Sequence, residues 1–333
     1  PYYNIRTELL APTGRAAKVL SNRSLQQAYT IHKKIYYTQT DDYSNISLKL
    51  KENKNHNTLY IIDEASMIGE GDNLLSDLFS YVKSGVKNKV ILLGDKAQLP
   101  PIGNNESFAL NPDYLKQRFF EPIEYYQLTQ VVRQALQSGI LKNAANIRWA
   151  LNNKLQLPIF KTQNHKDFKQ IEAIDFEDTL VNQYRQIGEK EVVVITRSNF
   201  AANQLNQYIR NRILEKENII DIGEKLMSIR NNYYWQTENE YSDFIANGDI
   251  VEVTNIYSYE EKFGFNFANI EARINENQTP IELTIMLDTL SEKQAHLSQE
   301  KERQLYNNIF SYYQKDFNNK ALIHKAVKED KYF

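Results

Sequence analysis

Apolar runs that end on turn residues recur through the first half of the chain. Residues 7–11, TELLA, read as a short strand that runs into Pro12-Thr13-Gly14, after which alanines open a helix. Residues 58–62, TLYII, read as a buried strand that delivers two adjacent carboxylates, Asp63 and Glu64. Helical spacing over residues 71–82 then places Leu74, Leu75, Leu78, Phe79 and Val82 on one face. Residues 89–93 predict a second buried strand, which ends in the loop GDKAQLPPIG at residues 94–103. Two prolines and flanking glycines confine that loop's path. Residues 124–128 are a third strand candidate, leading to Arg133. Residues 36–57 change character: they are polar and mixed in charge, with Ser44-Asn45 between two segments that can pair as a hairpin.

The second half repeats the strand-then-helix pattern once. Residues 138–151 predict a helix and residues 157–172 a linker, and residues 191–197, EVVVITR, predict a buried strand. Ser198 is a good N-cap for a helix to about residue 215, with Leu205, Ile209 and Ile213 inward. Residues 226–290 turn to short alternating β segments (250–253, 263–267, 281–287) around an Asn247-Gly248-Asp249 turn, which predicts a small β-barrel. From about residue 291 the chain reads as helical and charged.

At 333 residues two or three domains are expected, and 41% hydrophobic with 25% charged residues are ordinary globular values. Zero cysteines exclude disulfides and cysteine-ligated metal and fit an intracellular protein. No apolar run approaches the ~18 residues that span a bilayer, so a cytoplasmic protein without a membrane partner is expected. A net charge of −2 means that a nucleic acid would be gripped by local basic clusters, not by a global field.

Several of these stretches carry candidate chemistry. A carboxylate pair at the C-terminal end of a buried strand suits nucleotide hydrolysis, with Asp63 holding Mg²⁺ through water and Glu64 polarising the attacking water. The plain alternative is an acidic turn. Thr13 and the free N–H groups of a helix start, with Arg15 or Lys18 beside them, suit a phosphate oxygen, unless this is simply a strand-to-helix turn. Asp95 and Gln98 sit on the proline-stiffened loop, where a rigid amide can sense a γ-phosphate. Arg133 could stabilise a transferring phosphoryl group or be a solvated surface residue. Tyr36, Tyr37 and Tyr43, with Lys49, Lys51 and Lys54, supply stacking faces and charge in residues 36–57. His32 reads as scaffold.

APTGRAA (11–17), IIDEAS (61–66), GDKAQLPPIG (94–103) and LTQVVRQ (128–134), in this order and at these separations, resemble superfamily 1 DNA helicases of the RecD and Dda type. The resemblance is close over about residues 5–150 and loose beyond. It implies an α/β fold: tandem RecA-like P-loop NTPase domains, the first over 1–150 with a hairpin or pin insertion at 36–57. The second would cover 151–333, with an SH3-like β-barrel insertion at about 226–290.

The resemblance also implies an ATP- and Mg²⁺-dependent helicase that moves 5′→3′ on single-stranded DNA and unwinds duplex junctions, in DNA repair or recombination, with a monomer favoured. Asp63 and Glu64 take the magnesium and water-activating roles, Gln98 couples γ-phosphate state to DNA, Asp95 supports its loop, and Arg133 reaches the γ-phosphate. Pro12, Thr13, Gly14 and Arg15 line the single-strand track; Thr196 and Arg197, at the C-terminal edge of the strand expected over 191–197, are placed to face DNA or the cleft, or else are structural. The phosphate-cradling GxxxxGK[ST] loop and the late motifs of the family do not occur in the 333 residues, so an internal piece of a longer helicase, inactive alone, is expected. Two other readings are a non-catalytic single-stranded DNA-binding module and a metal-dependent nuclease using Asp63, Glu64 and Asp95.

Overall fold

A computed structural model describes residues 5–40, 46–69, 73–101, 103–104, 106–130, 138–153, 159–229, 245, 247–274, 280–292 and 297–333. Its elements are β1 (Arg6–Ala11), α1 (Gly14–Ser24), β2 (Ala28–Thr30), α2 (Ile31–Ile35), β3 (Tyr36–Thr40), β4 (Ile46–Leu50), β5 (Thr58–Ile62), α3 (Leu74–Ser84), β6 (Lys89–Leu92) and α4 (Pro112–Phe119). There follow α5 (Gly139–Asn152), α6 (Phe176–Ile187), α7 (Asn199–Tyr208), β7 (Lys225–Met227), β8 (Ile250–Lys262), β9 (Phe265–Ile274), β10 (Ile281–Met286), α8 (Gln299–Tyr313) and α9 (Lys320–Lys328). They fall into two compact units, one of Pro1–Ala65, Asn73–Leu93 and Ile195–Phe333, the other of Ser66–Asp72 and Gly94–Val194.

The first unit holds a parallel sheet in the order β2-β1-β5-β6. Leu9, Leu10, Ala11, Tyr60 and Ile62 are buried in it, and α3 packs Leu74, Leu75, Leu78, Phe79, Tyr81 and Val82 inward. Each such aliphatic side chain contributes about 1.5–3 kcal/mol. Among the described residues β6 pairs only with β5, and Ile91 is 41% exposed, so the strand expected to be buried is half-exposed. Glu8, buried on β1, is held by Lys34 of α2 at 2.7 Å. The helix ends directly in the hairpin β3–β4, Tyr36 pairing with Leu50 through Thr40 with Ile46. Ser44-Asn45, expected at its tip, and Tyr43 lie outside the described residues.

An antiparallel sheet in the order β10-β9-β8-β7 occupies the later residues of this unit. Its 263–267 segment was expected to be strand throughout, but Phe263 and Gly264 have φ of +55° and +77° and form a two-residue hairpin turn between Lys262 and Phe265. Two consecutive positive φ values match strand twist, and glycine takes the second without strain. Register shifts between Val253 and Asn255 and between Ile256 and Ser258 bend β8. Ile220, Val251, Val253, Ala268, Ile270 and Leu283 form one core, while Phe265 and Phe267 pack with Leu305, Ile309, Ile323 and Val327 of α8 and α9 in another.

Two expected strands are corrected. Residues 124–128 form no paired strand, and Tyr126 and Leu128 are each 87% exposed. Residues 192–196 are likewise unpaired, with Ile195 89% exposed, although Val192 has extended dihedrals. Both stretches have the apolar pattern of a strand, but among the described residues no neighbouring strand supplies the ladder hydrogen bonds that would bury it. The helix after Ser198 is as expected at its start, with Ser198 Oγ accepting from Ala201 N–H at 3.2 Å. Its last turn over Ile209–Ile213 widens to i→i+5 bonding, with Ile209 buried.

The second unit is helical. Asn111 caps α4, accepting from the N–H groups of Asp113 and Tyr114 at 3.2 Å each, with Pro112 in the first turn. Ser138 caps α5, accepting from Leu141 N–H at 3.1 Å. Asp167 reaches the same helix start, accepting from Ser138 Oγ at 2.6 Å and Gly139 N–H at 2.9 Å, and these bonds hold its carboxyl down to about 2. No described helix of either unit is long and apolar enough to cross a membrane.

Candidate nucleotide site and strand track

The parallel register places two of the expected motifs at one sheet edge. β1 and β5 run together with Leu10 opposite Ile62, so the turn after Ala11 and the acidic pair after Ile62 emerge side by side at the C-terminal edge. In open α/β sheets this is where ligands bind. The backbone continues the pairing past the strand ends: Asp63 N–H donates to Leu10 O at 2.9 Å, and Ala65 N–H donates to Leu93 O at 2.8 Å. The carboxylates are thereby anchored on both sides.

Between these two anchors Glu64 takes φ of +52°, a left-handed conformation that a non-glycine residue enters at a cost of about 1 kcal/mol. Its N–H is accepted by Asp63 Oδ1 at 2.9 Å. Both side chains are half-buried. Asp63 therefore keeps its second oxygen for a cation, which fits Mg²⁺: that ion takes one or two carboxylates and completes its shell with water and phosphate. Among the described residues no three His, Asp or Glu side chains gather as a metal cage.

At the turn after β1, Thr13 is the N-cap of α1, its Oγ1 accepting from Ala16 N–H at 3.2 Å. The hydroxyl accepts here through one lone pair, and its own O–H proton is not used by this cap. Gly14 is buried, Pro12 is half-buried and Arg15 is exposed.

The Gly94–Gly103 loop belongs to the second unit and follows β6 directly. Asp95 folds it, with Oδ1 accepting from Ala97 N–H at 2.9 Å and its carbonyl from Gln98 N–H at 3.1 Å. Gln98 Oε1 lies 3.5 Å from the hydroxyl of buried Ser66. What the sequence did not reveal is Arg148, on α5, which grips Asp95 through two bonds at 3.0 and 2.8 Å. The guanidinium holds the Asp95 carboxyl below its usual range. One arginine on the polar face of a predicted helix carries no signal of a partner so far away in sequence. Lys96 lies over the Tyr125 ring at 5.2 Å.

Arg133 lies outside the described residues. Thr196 and exposed Arg197 sit in the unpaired segment before α7, where Thr196 Oγ1 donates to Ser198 O at 3.1 Å, and not at a strand end as expected.

Residues 3–156 match the AAA domain family. The chain is 31% identical over 137 residues to the ATP-dependent RecD2 DNA helicase of Deinococcus radiodurans, covering 41% of this chain and 17% of that protein. These matches support a resemblance to RecD-like superfamily 1 helicases. The chain is also 26% identical over 272 residues to the uncharacterized protein R530 of Acanthamoeba polyphaga mimivirus, over 73% of this chain and 53% of that protein. The chain thus spans about half the length of one relative and less of the other. The parallel sheet fits a RecA-like P-loop fold, and the matches support a helicase-like NTPase, a class that binds nucleotide, usually with Mg²⁺.

Proposed function

We propose that this chain is part of an ATP-driven motor that translocates 5′→3′ on single-stranded DNA and unwinds duplex junctions. The observation that carries it is the adjacent pair Asp63 and Glu64, fixed at the C-terminal end of a central parallel strand beside the β1–α1 turn. In this reading Asp63 holds Mg²⁺ through water and Glu64 polarises the attacking water. Gln98, on the loop folded by Asp95, couples the γ-phosphate to DNA, and Arg133 stabilises charge on the phosphoryl group. Residues 12–15 line the strand track, with Thr196 and Arg197 as further DNA contacts. Residues 36–57 serve as the duplex-splitting pin, residues 151–333 contribute a second RecA-like domain, and the antiparallel sheet is its SH3-like insertion. The chain contains no GxxxxGK[ST] sequence, so turnover is expected of a protein that carries these residues together with such a loop.

The test is ATP hydrolysis with and without single-stranded DNA, on residues 1–333 and on a longer protein containing them, each beside its Glu64→Gln version. DNA-stimulated turnover in the longer protein, lost with Glu64→Gln, is the expected result. Deleting residues 36–57 should then abolish unwinding and spare the stimulated ATPase. Hydrolysis in neither protein, with oligonucleotide binding that ignores nucleotide, would replace the motor with a non-catalytic single-stranded DNA-binding module.

A further inference from the structure

Arg15 is the exposed cation of the turn read above as lining the strand track, and a free arginine loses side-chain entropy when a phosphate fixes it. Here it is already held. Its Nη1 donates to the carbonyl oxygen of Gly248, far away in sequence on the turn that leads into β8. Gly248 has φ of +88°, and a Cβ on it would stand 3.4 Å from Arg15 Cδ. One helical turn further along α1, Lys18 Nζ lies 2.9 Å from Asp249 Oδ2, with side chains only 13% and 2% exposed. The turn is itself tied down: Gly248 N–H donates to Ser228 O at 2.7 Å, and Ser228 N–H to Asp249 O at 2.9 Å, next to the end of β7.

We propose that the Gly248–Asp249 turn is a positioning element for Arg15, so that the antiparallel sheet sets the cation that meets a backbone phosphate of single-stranded DNA. The proposal rests on the reading that residues 12–15 form the track. One carbonyl occupies one of the five N–H donors of the guanidinium, leaving the others for a phosphodiester. The tether thus preorganises Arg15 without covering it. Lys18, which shares α1 with it, is the strut: its charge is spent on a buried carboxylate that locks the turn against the helix. Asp249 and Gly248 touch no DNA in this arrangement and act only through Arg15.

Binding of a labelled oligothymidylate, followed by anisotropy across a salt series, reads this directly. Arg15→Gln should weaken binding several-fold and lower the slope of log affinity against log salt by ~0.7, one phosphate contact on a single strand. Asp249→Asn, which loosens the turn, should give the same loss and the same slope change, and combining the two should be no worse than Arg15→Gln alone. Gly248→Val keeps the Lys18–Asp249 pair but presses on Arg15 and strains the turn. It should reproduce the effect, and it answers the question if Asp249→Asn does not fold. Salt dependence that stays at the parent value in Asp249→Asn and Gly248→Val while Arg15→Gln loses a contact would overturn the positioning role, as would losses that add. An Arg15→Gln protein that binds like the parent would sink the track reading and this inference with it.

Discussion

Strand β5 and the segment at residues 192–196 have nearly the same pattern, TLYII and VVVIT, and opposite fates. In β5 Tyr60 and Ile62 are fully buried, and parallel partners run on both sides. In the other segment Val193 is 82% and Ile195 89% exposed, with no ladder among the described residues. An apolar β-branched run states a demand for burial; a neighbouring strand decides whether the demand is met.

The comparison breaks most directly by truncation. Ile62→Ala should destabilise the protein by about 2–5 kcal/mol in urea unfolding, and Ile195→Ala should stay within about 0.5 kcal/mol. Equal effects would mean that residues 192–196 pack in solution. A smaller effect sharpens what β5 supports: Glu64→Gly should raise the unfolding free energy measured in urea, by up to about 1 kcal/mol, because glycine relieves φ of +52°. No gain in stability would remove the strain argument for Glu64.

The smallest effect concerns the helical unit. Asp167 titrates near 2 instead of 3.8, so its contribution is present above its unfolded pKa and is lost as pH falls through about 2. Asp167→Asn should flatten that part of the acid-unfolding profile of α5 and leave neutral pH nearly unchanged. Arg148→Gln, at an exposed pair, should cost under about 1 kcal/mol while loosening the Gly94–Gly103 loop, read by amide hydrogen exchange.

Much of the candidate site was legible because it is local. A strand running into Asp63-Glu64, a helix opening after Pro12-Thr13-Gly14 and a proline-stiffened loop after β6 each follow from a few adjacent residues. Strands β1, β5 and β6 and a hairpin within residues 36–57 were legible from periodicity for the same reason, while β2 was not expected as a strand. The positions of 124–128 and 192–196 were not, since the pattern carries no information about partners.

By itself, then, the sequence determined the acidic pair, the β1–α1 turn, the order of the motifs and hence the resemblance to RecD-like helicases, since these depend on residue type and short spacing. Only the tertiary structure decided that Glu64 is left-handed, that the Thr13 hydroxyl caps its helix, that Arg148 grips Asp95 and that Gly248 and Asp249 hold Arg15 and Lys18. Each of these joins a backbone geometry or a charge to a partner that only folding brings near, and charge or hydropathy along the chain does not encode which partner that will be.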